Sequence, residues 1–106
     1  MRANMRQFSV LLAIATSLYG SAEALAADAD HGGDLAKRWC ASCHVVTGDQ
    51  KQASADVPAF ATIARKPDFT PEKLAFFLLD PHPKMPNFPL SRTEAADLAA
   101  YIGSLR

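Results

Sequence analysis

The chain has 106 residues, about half of them hydrophobic, with 11 basic and 11 acidic side chains and a formal net charge of zero. That size fits one small domain rather than two, and the neutral balance excludes a strongly basic nucleic-acid binder.

The first 26 residues are set aside before any fold is considered. Arg2 and Arg6 make a short basic stretch, Phe8 to Tyr19 is almost wholly apolar, and Ala24-Leu25-Ala26 closes the segment with a small-residue pattern. This is the order of a secretory signal peptide, expected to be cut after Ala26. The alternative, a membrane anchor, needs about 20 apolar residues, and this run is shorter. Removing 26 of 106 residues leaves 80, and removing Arg2, Arg6 and Glu23 leaves 9 basic and 10 acidic side chains. The expected organisation is a leader over 1–26 and one domain over 27–106, exported to the periplasm, monomeric and not inserted in the membrane. A domain this small usually needs a disulfide, a metal or another staple.

Along the mature chain, Leu35, Ala36 and Trp39 fall at helical spacing and predict a first helix from about His31 to Cys43. Residues 45–57 are rich in Gly, Asp, Gln, Lys and Ser and read as loop, with a short helical turn following over Ala59 to Ala64. Thr70 fits an N-cap, Pro71 the first helical position, and Phe69 with Leu74 a hydrophobic staple, opening a helix that Pro81 stops after Asp80. Residues 81–89 carry four prolines in nine positions, which predicts a stiff extended loop. Ser91 and Glu94 form a capping box, and Ala95, Leu98, Ile102 and Leu105 give the last helix one apolar face with Tyr101 beside it. The fold expected is all-α, with three main helices and two long loops.

The chemistry concentrates in Trp39-Cys40-Ala41-Ser42-Cys43-His44, which holds the only two cysteines. A structural zinc site wants four Cys or His ligands in two pairs, and His31 and His82 stand isolated. A redox dithiol wants a βαβ surrounding that the chain lacks, and a disulfide across two residues would contribute little and leave His44 without a role. Cys-x-x-Cys-His is the attachment pattern of a c-type haem: two thiols join the porphyrin and the adjacent imidazole reaches the iron. Met85 is the one methionine outside the leader, and it sits in the proline-rich loop between Lys84 and Pro86. Met and His together are the axial pair of electron-transferring cytochromes c. His82, three residues before Met85, is its rival for the distal position, and core packing is the other reading of a lone methionine.

With GGDLAKRWCASCH, VPAFATIA and KMPNFPLSRTEAADLAAYIGSL in place, residues 28–106 resemble the class I, mono-haem cytochromes c. The resemblance implies a small helical fold wrapped around one covalently attached haem c, with the first and last helices crossing. It implies Cys40 and Cys43 as attachment residues, His44 as proximal and Met85 as distal iron ligand, and no catalytic residue. Gly32, with Gly33 as a near alternative, matches the small residue at the helix crossing, and Tyr101 the aromatic beside it. Pro58 matches the loop whose backbone carbonyl orients the proximal histidine. The link between the third helix and the Met85 loop is shorter than in better-known members, and no Tyr or Trp stands out as a holder of the haem propionates.

The function expected is a periplasmic electron carrier between redox protein partners, not an enzyme. The alternatives are a peroxide- or gas-reactive haem protein with an open distal site, and a dedicated electron-acceptor subunit of a periplasmic dehydrogenase. Lys37, Arg38, Lys51 and Lys84 are candidates to steer an acidic partner. Trp39, Phe60, Phe76, Phe77 and Phe88 are expected to pack, in the core or against the haem, and His31 to be a solvated surface residue.

Overall fold

The computed structural model describes residues 26–54, 56–80 and 84–106. The expected leader falls almost wholly on 1–25, and His82 on 81–83, so both lie outside the described residues. Four helices follow one another: α1 (Ala29–Trp39), α2 (Phe60–Ala64), α3 (Pro71–Leu79) and α4 (Arg92–Gly103). Among the described residues there is no strand, and no helix is long and apolar enough to cross a membrane.

Helix α1 starts two residues earlier than its apolar spacing suggests because Asp28 caps it, its carboxylate accepting from the His31 amide at 3.1 Å. It also ends earlier. The amides of Cys40 and Ala41 both turn back to the Ala36 carbonyl, and those of Cys43 and His44 both bond to the Cys40 carbonyl at 3.1 and 2.9 Å. The Cys motif is thus a tight turn off the end of α1 rather than its last helical turn.

Helices α3 and α4 open as their sequences specify. Thr70 Oγ1 accepts from the Lys73 amide, with Pro71 at the first position. Ser91 Oγ accepts from the Glu94 amide while Glu94 Oε1 accepts from the Ser91 amide, both at 3.0 Å.

The core lies where α1 meets α4. Leu35 and Ala36 from α1, Leu98 and Ile102 from α4, Phe60 and Ala64 from α2, and Val46 from the loop form one buried cluster. Each large aliphatic side chain among them contributes roughly 1.5–3 kcal/mol by leaving water. The crossing is close because of glycine. A Cβ on Gly32 would lie 2.9 Å from the Leu98 backbone nitrogen and nearer still to the Asp97 carbonyl, whereas one on Gly33 would meet the Tyr101 ring at 3.2 Å. The two glycines therefore serve different neighbours. Gly32 admits the α4 backbone, and Gly33 seats the aromatic.

A polar lock closes the open end of this crossing. Asp97, 4% exposed, accepts from the Asp28 amide at 2.7 Å and pairs with His31 Nδ1 at 2.8 Å. His31 is therefore not merely solvated; half-exposed, it is the partner of a buried carboxylate on the far helix. Phe76 corrects a second expectation: at 74% exposure it packs against neither core nor cavity.

Candidate functional site

A cavity of about 590 Å³ opens between the Cys turn, α3 and the loop at 84–88. Cys40, Cys43, His44 and Met85 all line it, although 41 positions separate His44 from Met85. Trp39, Phe60, Phe69, Leu74, Phe77 and Phe88 supply much of its apolar wall. Size and character fall within the roughly 300–1,000 Å³ usual for cofactor sites.

His44 is held by its Nδ1, which lies 2.6 Å from the Pro58 carbonyl oxygen. A carbonyl can only accept, so Nδ1 carries a proton, and in the neutral tautomer this leaves the Nε2 lone pair free. This is the contact that the Val57-Pro58-Ala59 segment was expected to make. The ring also leans on Phe60, with centroids 5.1 Å apart. An imidazole fixed at one nitrogen and bare at the other is a poised metal ligand.

The two cysteines are free thiols, Cys40 half-buried and Cys43 exposed. Burial pushes the Cys40 thiol up to about 11. It stays protonated near neutrality.

Met85 comes to the cavity on the loop after α3, half-buried. The loop is pinned by Phe88, whose ring stacks on Trp39 at 5.8 Å between centroids and 3° between planes. Trp39 thus packs as expected and also forms part of the wall. Of the four cations singled out in the sequence, only Lys84 reaches the cavity; Lys37 and Lys51 line a separate shallow hollow by the 46–52 loop. Lys66, Lys73, Asp56 and Asp68 line the same cavity as Lys84.

Gln50 escaped the sequence reading, where it stood in a polar loop with no pattern to mark it. Its carboxamide bonds to the backbone on both sides of Cys43-His44, accepting from the Val46 amide at 2.9 Å and donating to the carbonyls of His44 at 2.7 Å and Ala41 at 2.9 Å. The residue set fits a haem c: an apolar cavity, two thiols at its edge, one imidazole with a free nitrogen and one thioether.

Comparison with known proteins agrees. Residues 27–102 match the family model described as cytochrome C oxidase, cbb3-type, subunit III. The chain is 70% identical over 106 residues to cytochrome c-552 of Bradyrhizobium diazoefficiens (strain JCM 10833 / BCRC 13528 / IAM 13628 / NBRC 14792 / USDA 110), covering all of this chain and 99% of that protein. No solved structure matches.

Proposed function

The chain belongs to the cytochrome c family, and for this haem c electron-transfer protein we propose a carrier role in the periplasm, with Cys40 and Cys43 as the attachment residues and His44 and Met85 as axial ligands. The observation that carries this reading is the convergence of those four side chains on one apolar cavity. When bound, the haem supplies an iron couple that takes up or releases one electron.

The chain's own residues do the rest. Pro58 orients His44 through Nδ1 and strengthens it as a ligand. Met85 offers a soft thioether, which favours the reduced metal and raises the potential. Trp39, Phe60 and Phe88 keep water away from the wall they form, lowering the local dielectric. The lining carries three lysines, Lys66, Lys73 and Lys84, and two carboxylates, Asp56 and Asp68, so its net charge is small, electrostatic steering of a redox partner is modest and salt affects its on-rate only mildly.

The leader pattern over 1–26 and a family match that begins at residue 27 both support export and cleavage, with Ala27 as the mature N-terminus. The family description names an oxidase subunit, which favours a second reading: this domain held as a subunit of an oxidase complex. Recovery in a detergent-free periplasmic extract fits the free carrier, and recovery only with solubilised membranes fits the subunit.

The decisive experiment is the absorption spectrum of the exported protein, oxidised and reduced, with and without carbon monoxide. A c-type reduced spectrum indifferent to carbon monoxide, and made sensitive to it by Met85→Ala, is the expected outcome. Carbon monoxide binding by the unaltered protein would refute Met85 ligation.

A further inference from the structure

We propose that Gln50 is the positioning residue of the proximal side, its side chain taking the place of secondary structure in the segment that carries His44; the inference rests on His44 as iron ligand.

Residues 42–54 contain no helix or strand to satisfy their backbone. Even so, four consecutive carbonyls are each paired, and with four different partners. Cys43 O accepts from the Ser54 amide and Val45 O from the Phe60 amide, both at 3.0 Å. His44 O accepts from Gln50 Nε2, and Val46 O from the Tyr101 hydroxyl. Two of the four clamps are backbone, and two are side chains. Burial, followed by the nearby Asp49 carboxylate, keeps the Tyr101 phenol protonated and a donor.

Gln50 does more than fill one position. Its Oε1 takes the Val46 amide while Nε2 serves Ala41, His44 and Gln52, so two hydrogens are shared among three carbonyls. One carboxamide therefore bridges residues 41 to 46, spanning the second cysteine and the histidine. No other described side chain bonds to the backbone on both sides of His44. With Nδ1 fixed on Pro58 and the His44 carbonyl fixed on Gln50, ring and backbone are held by independent anchors. Loss of the second lets the backbone drift while the ring stays tethered, and ligand orientation tunes a metal's potential.

The test compares the haem-loaded wild type with Gln50→Ala, Gln50→Met and, as control, Gln52→Ala, whose exposed side chain makes none of these bonds. Reduction potential and amide hydrogen exchange are read. Expected for both Gln50 variants is a displaced potential relative to wild type and control, with exchange at the Val46 amide accelerated roughly tenfold, as one or two lost hydrogen bonds would allow, and α4 amides unchanged. Gln50→Met retains the side-chain length, so it carries the test where Gln50→Ala loads haem poorly. An unchanged potential in both variants overturns the proposal, as does an acceleration spread evenly over α1 and α4, which would mark a general loss of stability. A wild type without a His/Met spectrum would sink the ligation reading instead, and Val46 exchange would still decide whether Gln50 holds the loop.

Discussion

Replacing Gly32 by alanine puts a methyl group where the backbone of α4 approaches most closely among the described glycines. The added carbon would stand 2.9 Å from the Leu98 nitrogen and closer to the Asp97 carbonyl, and both obstacles are backbone that no rotamer change can move. Overpacking usually costs about 1–3 kcal/mol, and a backbone obstacle places this variant at about 3 kcal/mol or above. Alanine's better helix propensity returns only about 0.5–1 kcal/mol. A net loss of about 2–3 kcal/mol lowers Tm by roughly 8–24 °C in a domain of this size, at about 4–8 °C per kcal/mol. The neighbouring Gly33→Ala meets the Tyr101 ring at 3.2 Å, a side chain able to yield, so its loss is expected near 1 kcal/mol. Thermal melts of the haem-loaded proteins, followed by far-UV circular dichroism, read the difference. A Gly32→Ala protein as stable as Gly33→Ala would refute the claim that the α4 backbone is what Gly32 admits.

The Asp97 lock predicts a stability profile with two limbs. The hydrogen bond to Asp97 raises His31 above its ordinary 6.5, opposed by desolvation and helped by the charges of Asp97, Asp28 and Glu94. That contribution is full below pH 6.5 and fades as pH rises through the raised value. Burial pushes Asp97 upward, yet the bonds from His31 and the Asp28 amide prevail and hold it below its ordinary 3.8, so its contribution is present above pH 3.8 and fades as pH falls through the lowered value. His31→Gln is expected to flatten the high-pH limb and to weaken the low-pH one, since His31 is among the groups that hold Asp97 down, whereas Asp97→Asn is expected to flatten both, measured by urea titration across pH. Ser91→Ala removes half of the capping box and should cost about 1 kcal/mol, read in the same titration at pH 7. Phe88→Ala deletes the ring stacked on Trp39 and frees the Met85 loop, so the reduced spectrum of this variant should become sensitive to carbon monoxide where that of wild type is indifferent; a variant as indifferent as wild type would show that the stack does not hold the loop.

Residue identity and spacing are enough to read the chemistry of neighbours along the chain. Thr70 with Pro71, and Ser91 with Glu94, cap helices through bonds spanning three residues, so identity and spacing suffice to place them. Cys40, Cys43 and His44 likewise stand in one tight turn. The family likeness carried the reading further, to Pro58 and to the glycine at the helix crossing. Tertiary structure alone decided which glycine faces which partner, that Phe76 points outward, that His31 meets Asp97 across 66 positions, and that Gln50 braces the turn. These depend on how α1 and α4 cross and how an aperiodic loop folds back. A solvated polar side chain and a backbone clamp look alike in sequence, since what separates them is the backbone atom the fold brings within about 3 Å.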